Sequence, residues 1–200
     1  SSQTANKSQE KPGPLTNPAN IHPIRVNGTY NAPSPYRGPP TPEVDAAWEE
    51  YWKVWMVGID EETFQASNPQ YPEASVRLEE SGQYLATLEA THQLHCLYNL
   101  FRASYLDVYQ DERAEYEKDP RNWHERVDHC VEILRQKLEC DRDTGLITYN
   151  WVRGKKVPTA NFNVQRMCPE WGVMDRWAVQ RQVSELPTKP SNAVQLSFIP

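Results

Sequence analysis

Residues 91–102 read THQLHCLYNLFR and residues 126–134 read RVDHCVEIL, and these two segments decide the fold that the sequence predicts. Each places a His-Cys pair in a segment whose apolar residues recur at helical spacing. The chain has only five histidines and four cysteines, so two such pairs are a concentration of metal-binding side chains. We expect two long helices, at about residues 85–109 and 120–139, that pack together and bring the pairs close.

The histidines are expected on the side of each helix that faces away from its main apolar stripe. The first helix is predicted to bury Leu94, Leu97, Tyr98, Phe101, Tyr105 and Val108. His92, His95, Cys96 and Asn99 fall on its other side. The second helix is predicted to bury Trp123, Val127, Val131, Leu134 and Leu138, with His129 on the opposite side.

The fold class is expected to be mainly α with small β elements. TPEVDAAWEEYW from Pro42 has a helix start signal and helical spacing, residues 60–90 favour a hairpin or strand pair, LITYNWV favours a strand, and GVMDRWAVQRQ favours a final short helix. Nine prolines before residue 43 predict a long, irregular, extended arm. We therefore divide the chain into an arm or tether at residues 1–41, a catalytic domain at 42–180 and a C-terminal tail at 181–200.

Composition excludes several classes of function. The net charge of -6 and the absence of a basic cluster argue against nucleic acid as a partner. No apolar run approaches the length of a membrane span. No Gly-rich phosphate loop, nucleotide-binding fingerprint or Ser-His-Asp arrangement is present.

The clustering of histidines points to a metal site. A single histidine is usually a solvated polar residue, but His92 and His95 lie three residues apart, so one ion could take both imidazoles from one helical face. His129 from the second helix would complete a three-nitrogen site. Imidazole suits copper or zinc, and an open fourth position would admit substrate, water or dioxygen. Tyr98, Trp123, Tyr149 and Trp151 are candidates for a wall that faces the substrate.

The two motifs also carry a resemblance to the UstYa-type family of fungal oxidases. The similarity runs through about residues 28–178. It includes YRGPPTPEVDAAW, SGQYLATLEATHQLHCLYNLFR, RVDHCVEILRQKLEC, LITYNWV and a later Cys-Pro-Glu-Trp. The resemblance identifies the paired His-Cys motifs as the site.

The resemblance implies a luminal domain, in the secretory pathway, that a membrane anchor outside this chain would hold. It implies a copper-dependent oxidase that acts with dioxygen in fungal secondary-metabolite biosynthesis, on a small-molecule or ribosomal-peptide substrate. The reactions implied are oxidative cyclisation, hydroxylation or dehydrogenation, and halogenation. Two alternatives remain: a non-catalytic partner subunit of a heteromeric oxidase, or a zinc-binding luminal protein. Homo- or hetero-oligomers with a related chain are also expected.

Carried over position by position, the resemblance implies that His92, His95 and His129 are the catalytic metal ligands. Arg126 departs from the family pattern, which has histidine there, and a guanidinium does not ligate a cation. On a continuous helix His124 would point about 140° away from His129. His124, Glu125 and Arg126 are therefore the positions at which a further ligand, or a side chain that orients an imidazole, is expected.

The four cysteines permit two disulfides in three connectivities. We favour Cys96–Cys130, which would join the two helices and hold His95 near His129, with Cys140–Cys168 tying the C-terminal segment to the second helix. Thiolate ligands at Cys96 and Cys130 are the alternative. Asn27 lies in an Asn-Gly-Thr glycosylation sequon, and together with the cysteines it favours an oxidising, secretory location.

Overall fold

The computed structural model describes residues 20–200 of the chain. Its elements are β1 (Ile21–Arg25), α1 (Pro42–Glu49), β2 (Val57–Ile59), α2 (Glu61–Ala66), β3 (Tyr84–Ala86), α3 (Glu89–Ala103), α4 (Gln110–Lys118), α5 (Pro120–Asp141), β4 (Thr148–Asn150), β5 (Thr159–Asn161), β6 (Gln165–Pro169) and α6 (Trp171–Val179). Short 3-10 turns follow α1 at Glu50–Trp52 and α2 at Pro72–Ala74. The mainly helical class with small sheets is confirmed.

These residues divide into two units. One contains residues 20–22, Met56–Ala86 and Cys168–Pro200, and the other contains Pro23–Trp55 and Thr87–Met167. The predicted division at residues 41 and 180 is not tested by this partition and stays a prediction. The first 19 residues of the predicted arm lie outside the described residues.

Within residues 20–200 the strands form three sheets of two strands each. β2 pairs antiparallel with β3 so that Val57 faces Ala86, and β4 pairs antiparallel with β5 so that Thr148 faces Asn161. β1 pairs with β6. The predicted strand at LITYNWV is present as β4, and the strand pair expected within residues 60–90 draws one of its strands from residues 57–59.

In the unit that contains β2 and β3, the core lies beside the short helix α2. Val57, Ile59 and Phe64 are buried, and the Phe64 ring stacks on the Tyr84 ring with a centroid separation of 3.6 Å. Asp60 caps α2, because its side chain accepts a hydrogen bond from the backbone N–H of Thr63.

The other unit is organised around the helices that the His-Cys segments form. Thr41 caps α1 and Pro42 occupies its first turn, so the predicted start signal is confirmed. α1 buries Val44 and Trp48 against Tyr98 of α3. The predicted packing of α3 against α5 is confirmed, and α4 is an additional helix between them.

The prediction of which faces these helices bury was partly wrong. Cys96 and Cys130 are 1% and 4% exposed, whereas Leu97, Val131 and Leu138 of the predicted stripes are 44%, 48% and 72% exposed. The cysteine side of each helix therefore faces buried surroundings, because small thiol side chains pack where the helices approach. None of the described helices is long and apolar enough to cross a membrane.

Candidate metal centre

The site is built on the faces of α3 and α5 that carry the His-Cys pairs. His92 and Cys96 are four residues apart, so the helical repeat places their side chains one above the other on α3. α5 begins at Pro120 behind an Asp119 cap and runs without interruption past His129 and Cys130. Since α5 packs against α3, His92 and His129 lie close together although they are 37 positions apart in sequence.

Three side chains converge there, one from α5 and two from α3. The potential ligand atoms of His92, Cys96 and His129 all lie within 4.8 Å of one another. The Sγ of Cys96 is 3.8 Å from Nε2 of His92, and the ring centroids of His92 and His129 are 5.5 Å apart. Cys96 is buried, His92 is half-buried and His129 is exposed. The group is thus closed on the thiol side and open on the His129 side.

His95 lies outside this group of three. Its ring makes edge-on contacts with Trp52 and Trp55, each at a centroid distance of 5.2 Å. Its Nδ1 is buried and has no hydrogen-bond partner among the described residues. Burial lowers the pKa of the imidazole, and the nearby His92 and Arg102 lower it further. The structure therefore brings together two of the three predicted histidines, with Cys96 in the third place.

Cys96 and Cys130 are neighbours across the packed helices, as the favoured pairing requires. Asn99 points its Nδ2 at the Cys130 Sγ, at 3.9 Å. Burial raises the pKa of the Cys96 thiol to about 12, and the adjacent Cys130 thiol adds to that shift. All four cysteines are free thiols in the structure, with Cys140 exposed and Cys168 half-buried, so both disulfides stay predictions.

The three other predicted site positions lie outside the group of three. His124 is exposed and packs against Tyr116 and Trp123, at centroid distances of 5.9 and 5.1 Å. Arg126 forms an ion pair with Glu115 of α4. Glu125 is exposed on α5. None of the three belongs to the His92, Cys96 and His129 group.

A cavity of about 470 Å³ lies in the same unit, lined by residues of α3 and α5, and none of His92, Cys96 and His129 is among its walls. Its walls include Trp52, His95, Tyr98, Asn99, Arg102, Trp123 and Arg126. Two of the predicted wall residues, Tyr98 and Trp123, therefore face it. The other two, Tyr149 and Trp151, are not among its walls and are 66% and 79% exposed.

The donor set fits a copper or zinc ion. Two imidazole nitrogens and one thiol sulfur are the ligand types that both ions favour, and a fourth position is left for an exogenous ligand. From the sequence, a disulfide was favoured for Cys96 and a role as metal ligand was the alternative. Its spacing of four from His92 is the signal that could have placed it in the site.

Comparison with known proteins identifies a family and several relatives of this chain. Residues 1–181 match the family described as "Mycotoxin biosynthesis protein UstYa". The chain is 32% identical to the UstYa family oxidase phomYc of Diaporthe leptostromiformis, covering 76% of this chain and 60% of phomYc. It is 29% identical to the UstYa family oxidase aprY of Aspergillus flavus, covering 79% of this chain and 51% of aprY.

A third relative has a different printed name. The chain is 27% identical to the transacylase cctO of Talaromyces islandicus, covering 79% of this chain and 56% of cctO. The chain thus spans between about half and three fifths of the length of these curated relatives. No solved structure matches the chain. Because the family match covers nearly the whole chain, including both His-Cys motifs, this protein belongs to the UstYa family.

Proposed function

We propose that this chain is the catalytic domain of a copper-dependent oxidase of fungal secondary metabolism. The observation that carries the proposal is the convergence of His92, Cys96 and His129 from two packed helices. The names of phomYc and aprY, both UstYa family oxidases, support the oxidase class. The substrate class proposed is a small-molecule or peptide natural product, oxidised by cyclisation, hydroxylation or dehydrogenation, or halogenation.

His92, Cys96 and His129 would hold the ion, and copper when bound supplies one-electron chemistry with dioxygen as the oxidant. The first contribution of the chain itself is the proton of the Cys96 thiol. The raised pKa keeps the Cys96 thiol protonated without an ion, so binding through sulfur releases its proton. His129 is exposed, which leaves the centre accessible to substrate from that side. Asn99 contacts Cys130 and also lines the cavity, so it lies between the thiol pair and the cavity.

The test is a copper titration of purified protein and of three site variants: His92→Asn, Cys96→Ser and His129→Asn. Each variant is expected to lose at least tenfold in copper affinity, since each removes one of three ligands. His124→Asn is the matched control, because His124 is an exposed histidine on the same helix as His129 and outside the group. Oxygen uptake in the presence of a reductant should also fall in the three site variants and stay unchanged in His124→Asn. Equal copper binding in all variants would refute the site.

One observation favours a second function, that of a non-catalytic partner subunit. Arg126 stands where the family resemblance implies a histidine, and it forms an ion pair with Glu115 outside the group of three. The partner-subunit function predicts no copper turnover until a second family member is added. Zinc that is retained in excess copper, without a redox signal, would favour a zinc protein.

We further propose that the domain lies in the lumen of the secretory pathway, held there by an anchor outside this chain. The Asn27 side chain is exposed, as a glycosylated sequon requires, and the family resemblance supports the anchor. A loss of mass on deglycosylation of the secreted domain, absent in Asn27→Gln, tests the sequon. Unchanged mass in the wild-type domain would refute it.

A further inference from the structure

A continuous set of aromatic side chains leads from the candidate metal centre into the interior of the same unit. Trp55 contacts the ring of His92 at a centroid distance of 6.5 Å, and it contacts His95 at 5.2 Å. On the other side of His95 lies Trp52, also at 5.2 Å, and Trp52 in turn contacts Tyr98 at 5.2 Å. We call Trp55, His95, Trp52 and Tyr98 the aromatic path.

The far end of the path has a built-in proton acceptor. The Tyr98 hydroxyl donates a hydrogen bond to Oδ1 of Asp45, at 3.0 Å, and Tyr109 donates to the same oxygen at 2.5 Å. Tyr98 and Tyr109 are buried, at 5% and 7% exposure. A tyrosine that loses an electron forms a stable neutral radical only if its phenol proton leaves. Asp45 is positioned to take that proton from Tyr98.

Proton transfer must accompany this electron loss, because a phenol radical cation is a very strong acid and does not persist beside a carboxylate. The Arg102 guanidinium lies 5.7 Å from the centroid of the Tyr98 ring and 4.5 Å from that of Tyr109. Its charge is compensated by ion pairs with Asp111 and Glu112, so it leaves this requirement unchanged. Electron loss at Tyr98 is therefore favoured only together with proton transfer to Asp45.

We propose that the aromatic path is a redox route that withdraws oxidising equivalents from the metal centre to Tyr98. A one-electron oxidant at the centre takes an electron from Trp55 and is reduced. Trp55 recovers the electron from Trp52 across His95, and Trp52 recovers it from Tyr98. The Tyr98 proton moves to Asp45, which leaves a neutral tyrosyl radical beside a protonated carboxyl group.

The electron is returned by a soluble one-electron reductant, such as ascorbate or a thiol. The cavity of about 470 Å³ gives such a molecule access, since Trp52 and Tyr98 are among its walls. Asp45 then gives the proton back to the phenolate oxygen. The role of the path is to spare the imidazoles of His92 and His129 from oxidation when no substrate is present. For that role the inference rests on the proposed oxidase function.

The path can be tested without copper, so its failure is distinct from failure of the proposed function. Cys140→Ser and Cys168→Ser remove the two accessible thiols, whereas Cys96 and Cys130 are buried. In that background, His129→Cys is labelled with a ruthenium polypyridyl maleimide. A laser flash with a cobalt(III) quencher generates ruthenium(III), a one-electron oxidant, beside the path. Transient absorption and electron paramagnetic resonance then report tyrosyl radical.

We expect tyrosyl radical in this background and its loss in Trp52→Phe and in Tyr98→Phe, which keep aromatic rings in place. Tyr116→Phe is the matched control, because Tyr116 packs on Trp123 and outside the path, and it should leave the radical unchanged. Asp45→Asn, which keeps Tyr98, should slow radical formation and remove its solvent isotope effect. Radical yields and rates in Trp52→Phe, Tyr98→Phe and Asp45→Asn equal to those of the labelled background would overturn the proposal. Circular dichroism checks the fold of each variant.

Discussion

At the scale of single residues, His95 lies outside the group formed by His92, Cys96 and His129, although the sequence predicted it as a ligand. Its ring is held between Trp52 and Trp55 and its buried Nδ1 has no partner among the described residues. An unpaired buried polar atom costs about 1–3 kcal/mol. We predict that His95→Phe raises the free energy of unfolding by about 1 kcal/mol, measured by urea denaturation of the metal-free protein.

The same variant separates packing from metal binding. His95→Phe should bind copper with unchanged affinity, whereas His92→Asn should bind it weakly, since only His92 belongs to the converging group. If both variants lose copper to the same degree, His95 is a ligand and the three-histidine set predicted from the sequence is right.

The sequence predicted His92, His95 and His129 as the three ligands, whereas the group that converges in the structure has Cys96 in place of His95. A helical repeat of 3.6 residues places both the third and the fourth residue after His92 on the same face. The choice between His95 and Cys96 therefore depends on the rotation of α3 about its axis against α5. That rotation is set by tertiary packing, which a one-dimensional pattern does not record.

At the scale of elements, the helix pair shows why the predicted buried faces were partly wrong. The prediction assumed that the largest apolar side chains mark the interior. Instead Cys96 and Cys130 are buried while Leu97, Val131 and Leu138 remain at least 44% exposed. Small side chains allow two helices to approach closely, so the contact favours thiols over a row of leucines.

The thiol pair that joins α3 and α5 has two mutually exclusive uses. A Cys96–Cys130 disulfide would close a loop of about 34 residues and stabilise the fold by roughly 3 to 4 kcal/mol, but it would remove the Cys96 sulfur as a metal ligand. We predict that oxidised glutathione abolishes the thiolate-to-copper absorption of the wild-type protein and leaves that of Cys130→Ser intact. Thiol counting by alkylation and mass spectrometry monitors the bond. Equal loss of the absorption in both proteins would contradict this exclusion.

The exposed side of α5 carries a charge network with a predictable pH dependence. Glu132 accepts two hydrogen bonds from Arg135 and one from Gln136. Arg135 first and Gln136 second lower the pKa of Glu132 to about 2. A depressed carboxyl pKa contributes stability above the unfolded value, 4.5, that is lost as pH falls towards about 2.

We therefore predict that Glu132→Gln lowers the urea midpoint slightly at neutral pH and makes no difference below about pH 2. The effect is small because the pair is exposed to solvent. Glu125→Gln is the control on the same helix, since Glu125 makes no contact with Arg135 or Gln136. A difference between wild type and Glu132→Gln that grows as pH falls would contradict the assignment.

At the scale of the whole molecule, the strand pairs join segments far apart in sequence. β1 pairs with β6, and β2 pairs with β3 across 24 intervening residues (60 to 83). The sequence marked Tyr149 and its neighbours as a strand, but a short extended run does not identify its partner. Which strand pairs with which depends on contacts between segments far apart in the chain, and a local sequence pattern does not contain that information.

The predicted tether also makes specific contacts in its described part, and these give a last prediction. The Asn163 side chain accepts a hydrogen bond from the Gly28 backbone N–H at 3.0 Å, and the Asn163 carbonyl accepts one from Arg25 at 2.8 Å. Asn163→Ala removes the side-chain bond at a cost of about 1 kcal/mol, so local opening and tryptic cleavage after Arg25 should rise roughly fivefold. Limited proteolysis with mass spectrometry measures this, with Asn150→Ala, an exposed asparagine on β4, as the control. If Asn163→Ala is cut no faster than Asn150→Ala, residues 25–28 are held by contacts other than Asn163.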